Sequence, residues 1–344
     1  MNINRWQFIG LVGLTVLSTV AVCHAQVQYR FLKEISIGGE GGWDDLSVDP
    51  AARRLYVTHA TEVVVIDLET DKVVGEIADT PGVHGFAIAH DLGRGFSSNG
   101  RENKISIVDL KTLKTLSKMD TGENPDAIVY EPVHQEVYAF NGHGNSATVI
   151  DAKTGRVVTT VMLTGRPEFA AVDSKADRVY CNLEDKSAIA AIDATTHQVV
   201  NTWPIAPGQE PSGLAIDLAH HRLFSGCHNK MMVITDNTNG KVVATVPIGE
   251  RVDGGAFDPA TQLAFSSCGD GTVTIAHEDT PDKLTVVQTL ATERGARTMT
   301  LDPTTHKIYL PCAKFEPLPA PAPGAPHQRP KIIAGTFKVL VYGQ

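Results

Sequence analysis

The chain lacks the features that would point directly to nucleic acid, covalent haem or a nucleotide. Basic and acidic residues are scattered, 30 Lys and Arg against 39 Asp and Glu, without a basic run. The formal charge of −9 gives no support for nonspecific binding to nucleic acid or to an anionic membrane. The sequence contains no CxxCH, which excludes covalent c-type haem at motif level. It also has no phosphate-binding Gly-rich loop, HExxH helix or nucleophile elbow.

Long apolar runs are missing beyond residue 25. At the N-terminus, Arg5 precedes a short apolar run, Phe8 to Val22, and small residues end at Ala25. This pattern predicts a signal peptide over 1–25, and the run is shorter than the roughly 20 residues of a membrane span. An uncleaved anchor is the alternative. We expect a mature chain 26–344 that is periplasmic or secreted, monomeric and without a membrane span.

Cysteine is also scarce. The mature chain retains four, at Cys181, Cys227, Cys268 and Cys312. An exported compartment permits disulfides, but spacing alone does not assign pairs.

The chain does contain a repeat. A β-branched strand that ends in aspartate recurs at Asp67, Asp109, Asp151 and Asp193, each 42 residues after the last (109 − 67 = 42). Four short strands per unit at this period are typical of β-propeller blades. Because no single blade can bury both of its faces, the units are expected to stack around an axis.

Seven units can be counted from their first strand, strand a, and its turn. The sequence therefore predicts an all-β fold, a single seven-bladed propeller domain over 26–344. Lys338–Val341 reads as strand c of a last blade without a fourth strand, whereas Tyr29–Ile37 reads as a strand d without a blade. We expect the N-terminal strand to complete the last blade (3+1 closure), since pairing removes open edges. The Pro-rich segment 315–332 is predicted to be a surface loop or a lid across one mouth.

The segment RLYVTHATEVVVIDLETDKVV, residues 54–74, resembles the YVTN repeat. Residues 27–344 as a whole resemble the YncE-like seven-bladed propellers. This resemblance implies the fold and a binding or scaffold role. It supplies no catalytic residues to carry over.

The repeat separates scaffold from site without an alignment. Aspartates that most blades share are expected to accept backbone N–H bonds in turns. At the turn between strands c and d these are Asp67, Asp109, Asp151 and Asp193. At the turn between strands a and b they are Asp49, Asp173, Asp217, Asp258 and Asp302.

Two positions per blade are expected at the channel mouth, and their residues differ between blades. The start of strand a reads Asp44, His84, Asp126, Glu168, Ser212, Asp253 and Arg297. The end of strand b reads His59, Asn99, Asn141, Leu183, Cys227, Cys268 and Cys312. Polar residues that break the repeat are typical of a site.

Three kinds of site fit these residues. A hard cation such as Ca²⁺ would take oxygen ligands from Asp126, Glu168, Asn99, Asn141 and Asn182. Copper or zinc would take ligands from His59, His84, Cys227, His228, Cys268 and Cys312, although the cysteines are more simply buried apolar side chains or a disulfide between neighbouring blades. An enzyme would use His84 as the base, oriented by Asp126 or Asp44, with Arg297 stabilising an anion.

Carboxylates crowded around a channel repel one another, so a cation or raised pKa values must relieve them. Trp43 could add an aromatic wall for a cationic ligand, or pack between blades. The predicted ligand-binding residues are Asp44, His84, Asp126, Glu168, Asp253, Arg297, Asn99, Asn141, Asn182 and Trp43. The sequence thus predicts an exported binding or scaffold protein with a small ligand or metal ion at the channel mouth. A periplasmic metal-dependent hydrolase or lactonase, and a platform for a periplasmic protein, are the alternatives.

Overall fold

The computed structural model describes residues 28–317 and 330–344. Within them, seven four-stranded antiparallel sheets form a ring, which confirms the predicted seven-bladed β-propeller. The innermost strand of each sheet lies beside those of its two neighbours, and the seventh lies beside the first. The predicted signal peptide, 1–25, and most of the predicted lid, 318–329, lie outside the described residues.

The strands follow the chain in order. Blade 1 consists of β2 (Trp43–Asp49), β3 (Arg54–His59), β4 (Glu62–Asp67) and β5 (Lys72–Ile77). Blade 2 consists of β6 (Val83–Ala89), β7 (Arg94–Asn99), β8 (Lys104–Asp109) and β9 (Lys114–Asp120). Blade 3 consists of β10 (Pro125–Glu131), β11 (Glu136–Asn141), β12 (Ser146–Asp151) and β13 (Val157–Met162). Blade 4 consists of β14 (Pro167–Asp173), β15 (Arg178–Leu183), β16 (Ala188–Asp193) and β17 (Gln198–Pro204).

Blade 5 consists of β18 (Pro211–Asp217), β19 (Arg222–Cys227), β20 (Met231–Asp236) and β21 (Val242–Pro247). Blade 6 consists of β22 (Val252–Asp258), β23 (Leu263–Cys268), β24 (Thr272–Thr280) and β25 (Lys283–Ala291). Blade 7 consists of β26 (Thr300–Asp302), β27 (Lys307–Cys312), β28 (Lys338–Gly343) and β1 (Arg30–Ser36). Within the described ranges, 3₁₀ helices lie at His90–Leu92, Gly100–Glu102 and Glu184–Lys186.

The N-terminal strand closes the ring as predicted. β1 pairs antiparallel with β28, with Ile35 opposite Val339 and Ser36 opposite Lys338. The Lys338 ammonium also donates to the Glu34 carboxylate at 2.7 Å. The outer edge of blade 7 is therefore a strand from the other end of the described chain.

The hydrophobic core is divided among the blades. Seven clusters of buried apolar side chains occur, one at each interface between neighbouring blades. At the first interface, the aromatic of β3, Tyr56, stacks on Phe86 of blade 2 with ring centroids 4.7 Å apart. Strands b and c are buried on both faces because each blade is covered on both sides, which suits their β-branched and aromatic residues.

The shared aspartates hold the turns. The Asp67 carboxylate accepts the backbone N–H groups of Glu69 at 3.0 Å and Thr70 at 2.7 Å. Asp49 accepts those of Ala51 and Ala52 in the same way at the other turn. The predicted scaffold role is thus seen as hydrogen bonds.

In the part of the chain that the structure describes, no helix has the length and apolar character to cross a membrane.

Candidate axial binding site

A β-bulge at the start of strand a points the site residues into the channel. In blade 1, Trp43 pairs with His59 and Leu46 with Val57, so two residues of β2, Asp44 and Asp45, oppose the single Thr58. The Thr58 hydroxyl accepts the Asp44 N–H at 3.3 Å and donates to the Asp45 carbonyl oxygen at 2.8 Å. A bulge re-aims the side chains that it carries.

The same two-against-one irregularity occurs in the following blades. In blade 2 the register shifts between Val83 and Phe86, and in blade 3 between Pro125 and Ile128. Each shift spans the residue predicted at the start of strand a. Six consecutive strands a, from β2 to β22, have a shift there, and together they place unlike side chains around one axis.

These side chains surround an axial cavity of about 100 Å³. Its polar lining consists of Asp44, Asp45, His84, Asp126, Glu168, Asp253 and Arg297. All six of the channel-mouth residues predicted as ligands at this position of strand a are included, and Asp45 is an addition. The structure therefore brings together residues that are up to 253 positions apart in the chain.

Three of them can share one ligand. Asp44, His84 and Asp126, from three adjacent blades, each offer a donor atom, and these atoms lie within 4.8 Å of one another. The His84 Nδ1 atom is 2.6 Å from Asp44 Oδ2 and 3.6 Å from Asp126 Oδ1. Side-chain exposure of 21–31% for these residues is exposure to the cavity that they line.

An arginine closes the ring on the other side. The Arg297 guanidinium donates to Asp44 Oδ1 at 3.0 Å and contacts the carboxylate of Asp253. Asp253 also accepts a hydrogen bond from the Ser212 hydroxyl at 2.8 Å. Arg297 and its two acids thus form a chain of charges that fixes the walls of the cavity.

The surroundings of Asp44 and His84 shift the pKa of each towards its charged form. Burial disfavours a charge on Asp44, but the His84 hydrogen bond and the Arg297 charge hold the pKa of Asp44 below its usual value. Burial alone would lower the pKa of His84, whereas the Asp44 hydrogen bond and the charges of Asp126 and Asp44 raise it to about 9. His84 is therefore an imidazolium at neutral pH.

The remaining carboxyls shift in the opposite direction. Burial raises the pKa of Asp45 to about 8, that of Asp126 to about 6 and that of Glu168 to about 7. Repulsion from neighbouring carboxylates adds to each shift. Raised pKa values thus relieve the crowding of carboxylates that the sequence predicts.

A larger cavity of about 750 Å³ adjoins the axial one and shares Glu168, Asp253 and Arg297 with it. Its basic lining comprises Arg166, Arg251, His228 and Arg297, and its acids are Glu168, Glu184 and Asp253. Trp43, Phe315, Pro330 and Ile332 supply an apolar wall. Phe315 and Ile332 are joined by an antiparallel bridge, so the described ends of segment 315–332 border this cavity.

This larger cavity is called the upper cavity below. Its arginines differ in whether a carboxylate pairs with them. Arg166 contacts the Glu184 carboxylate. Arg251 is exposed and donates to the Gly269 carbonyl oxygen at 2.7 Å. Among the described residues, no carboxylate oxygen lies within ion-pairing distance of Arg251.

Trp43 lies at the edge of this cavity. Its ring stacks on Phe337 with centroids 5.4 Å apart and lies 5.9 Å from Phe315. Both proposed roles of Trp43 therefore remain compatible with its position, since it packs between blades and borders the cavity.

The three predicted amide ligands are turned into the blades. Asn99 donates to Glu102 and Ser106 at 2.8 Å, and Asn141 donates to Ser146 and Thr148. Asn182 donates to the carbonyl oxygens of Ser212 and Gly213 in the next blade. All three are fully buried, and they do not line either cavity.

The predicted imidazole and thiol ligands are separated from one another. His59 stacks on Phe337 at 4.3 Å, and His228 lines the upper cavity. Cys227, Cys268 and Cys312 lie in three different interblade cores, where burial raises the pKa of each thiol to about 12. All four cysteines are free thiols. Among the described residues, no cysteine shares a donor cluster with two other ligand-type groups.

Sequence reasoning missed Asp45, Arg166 and Arg251. Asp45 carries a detectable signal, because two adjacent acids at the start of a strand fit a bulge better than regular alternation. The two arginines belong to the loops before strand a, and the repeat gives no rule for the direction of loop side chains.

No family model and no curated protein matches the chain. Among solved structures, a chain of hydrazine synthase from Kuenenia stuttgartiensis superimposes with a TM-score of 0.69 at 18% identity. The match covers 79% of this chain and 92% of that one. At this identity the similarity concerns the fold. The chain is thus a seven-bladed β-propeller, and its resemblance to the YncE-like proteins stays a prediction.

Proposed function

We propose that the protein is an exported, YVTN-type propeller that binds a divalent metal ion at its axis, without catalysis. Asp44, His84 and Asp126 would be the protein ligands, and the upper cavity would receive a small acidic molecule above the ion. The observation that carries this proposal is the convergence of three donor atoms from three blades within 4.8 Å.

The donor set favours a first-row divalent ion. Two carboxylates and one imidazole suit Mn²⁺ or Zn²⁺, whereas Ca²⁺ prefers oxygen alone and copper(I) prefers sulfur. A divalent ion would replace the protons that now relieve the crowded carboxyls. It would also compete with the proton on His84, because a ligating imidazole must be neutral.

The proposal of an acidic ligand rests on an arginine in the wall of the upper cavity. Arg251 is an exposed guanidinium on its wall without a partner carboxylate in the described chain. Arginine binds carboxylate and phosphate groups through two parallel hydrogen bonds. Trp43 and Phe315 would cover the apolar part of the same molecule.

Metal binding can be tested on the full chain after removal of metal by a chelator. We expect isothermal titration with Mn²⁺ or Zn²⁺ to show an axial site that His84→Gln and Asp126→Asn each weaken by at least about 100-fold. The matched control is His90→Gln, because His90 also lies 2.9 Å from an aspartate, Asp49, but is in no three-donor cluster. Unchanged affinity in both axial variants would refute the proposal.

The acidic ligand can be tested with succinate and inorganic phosphate as probes on the metal-loaded protein. We expect Arg251→Gln to weaken the binding of the probe while leaving the metal in place. Arg294→Gln is the control, since Arg294 is also an exposed arginine but does not line the cavity.

A hydrolase is the second candidate, favoured by the 2.6 Å contact of His84 with Asp44 and the Arg297 contact with the same carboxylate. Because His84 is protonated at neutral pH, it would act as a general acid and not as the expected base. Turnover of a panel of esters and lactones, abolished by His84→Gln, would favour this candidate.

A further inference from the structure

A second cluster of metal-type donors lies at the other end of the inner strands, between blades 5 and 6. The His220 Nδ1 atom is 2.6 Å from Asp217 Oδ2 and 3.3 Å from Glu278 Oε2. These three groups offer donor atoms that all lie within 4.8 Å of one another. Asp217 is 2% exposed and Glu278 1%, whereas the His220 side chain is 37% exposed.

The repeat shows that Glu278 is unusual for its position. Its backbone N–H, in strand c, donates to the carbonyl oxygen of Gln262 in the turn between strands a and b. The same bond is made in blades 1 to 5 by Leu68, Leu110, Ala152, Ala194 and Asn237. Blades 1 to 5 therefore place an apolar or amide side chain where blade 6 buries an acid.

The partner of Glu278 is unusual as well. At two other interfaces the neighbouring blade offers a histidine to the turn aspartate: His90 lies 2.9 Å from Asp49, and His306 lies 2.7 Å from Asp258. At Asp217 the neighbouring blade instead offers a second carboxylate. Two buried acids thus face each other, and the His220 Nδ1 atom lies within 3.3 Å of an oxygen of each.

The surrounding hydrogen bonds satisfy the Asp217 carboxylate better than the Glu278 carboxylate. Asp217 Oδ1 accepts the Ala219 N–H at 2.9 Å, but Glu278 Oε1 is buried with no hydrogen-bond partner in the described structure. Arg222, which donates to the His220 carbonyl oxygen, is committed to Asp236 and Asp282. A buried carboxylate oxygen without a partner is costly, so retaining one indicates an additional ligand.

We propose that Asp217, His220 and Glu278 bind a divalent transition-metal ion of the Zn²⁺ type, which joins blade 5 to blade 6. Imidazole nitrogen and carboxylate oxygen are both zinc ligand types, and water would fill the fourth position beside these three protein ligands. The ion would satisfy Glu278 Oε1 and neutralise both acids. The half-exposed His220 ring places the entrance at the surface, and the site is independent of the axial one.

The test uses the full chain with His84→Gln and Asp126→Asn as background, so that the axial site is silenced. We expect the chelator-stripped protein to bind one equivalent of Zn²⁺, or of Co²⁺ as a visible-absorption probe. Glu278→Gln and His220→Gln should each weaken this binding by at least about 100-fold. His306→Gln is the control, because His306 is another histidine of an a–b turn and its Nδ1 atom faces a single acid, Asp258, at 2.7 Å.

A second variant keeps the test decisive if Glu278→Gln folds poorly. Glu278→Leu copies the residue that blades 1 and 2 carry at this position, so it should fold, gain thermal stability without metal and lose the stabilisation by Zn²⁺. Wild-type affinity in both Glu278 variants would overturn the proposal, as would the absence of Zn²⁺ binding in the background protein. Loss of binding in both, with His306→Gln unaffected, would support it. The axial proposal is tested by comparing the protein that has His84 and Asp126 with its axial variants, whereas this test uses a protein in which both residues are already replaced. Failure of one proposal can therefore be distinguished from failure of the other.

Discussion

Asp45→Asn should stabilise the metal-free protein, and more so as the pH rises. Burial raises the pKa of Asp45 to about 8 from an ordinary 3.8, so between these values the folded state keeps a proton that the unfolded state releases. Each step upward in pH therefore favours unfolding of the wild type. Asparagine has no proton to release, and its side-chain oxygen can still accept the Leu46 N–H that the carboxyl accepts.

The change in the free energy of unfolding is set by the interval between the pKa of Asp45 in the unfolded state and the pH of the experiment. From 3.8 to pH 7 is about 3 units, each worth about 1.4 kcal/mol, which gives a ceiling of about 4 kcal/mol. Asp45 is only half-buried and lines a cavity that water can enter, so we expect about half of this, about 2 kcal/mol. At pH 4 the two proteins should have nearly equal free energies of unfolding.

Urea unfolding at pH 4, 6 and 8 in the presence of a chelator measures this difference. The neighbouring Asp44→Asn is the control of opposite sign, because the lowered pKa of Asp44 means that its carboxylate stabilises the fold above pH 3.8 and loses this effect in acid. Asp44→Asn should therefore destabilise the protein at pH 7. A difference between Asp45→Asn and wild type that does not change with pH would refute the reasoning.

Three further predictions concern the site, the closure and a predicted ligand. Metal uptake at pH 6.5 should release at least one proton, because His84 has a pKa of about 9 and a ligating imidazole must be neutral. Titration in two buffers of different ionisation enthalpy measures this release, and equal heats would contradict it. Ile35→Ala, in the closing strand and 4% exposed, should cost about 3 kcal/mol in urea unfolding; no loss would mean that β1 is dispensable for closure. His59→Phe should raise stability by about 1 kcal/mol, because both ring nitrogens are buried, their nearest acid, Glu62, is 3.6 Å from Nδ1, and the stacking on Phe337 is kept. A lower melting temperature, or lost metal, would contradict this.

Much of the fold could be predicted from the sequence, because equivalent residues recur at a constant spacing. The repeat predicts the number of blades, and the unpaired strand at each end predicts the 3+1 closure that the pairing of Ile35 with Val339 confirms. The same repeat singles out Asp44, His84 and Asp126 as residues that break the pattern at one position. The ring brings these positions to one axis, and the bulges at the start of strand a point their side chains into the cavity.

Only the tertiary structure decided which side chains face each other. Asn99 and His59 occupy predicted mouth positions, yet their side chains lie inside the blades, since a strand residue's direction depends on bulges and neighbours that the period does not encode. Arg251 lines the upper cavity from a loop. Glu278 and Asp217 are 61 residues apart in the chain (278 − 217 = 61), and they meet at the interface between blades 5 and 6. The sequence by itself determined which residues are equivalent; contact between residues that are not equivalent depends on how adjacent blades pack.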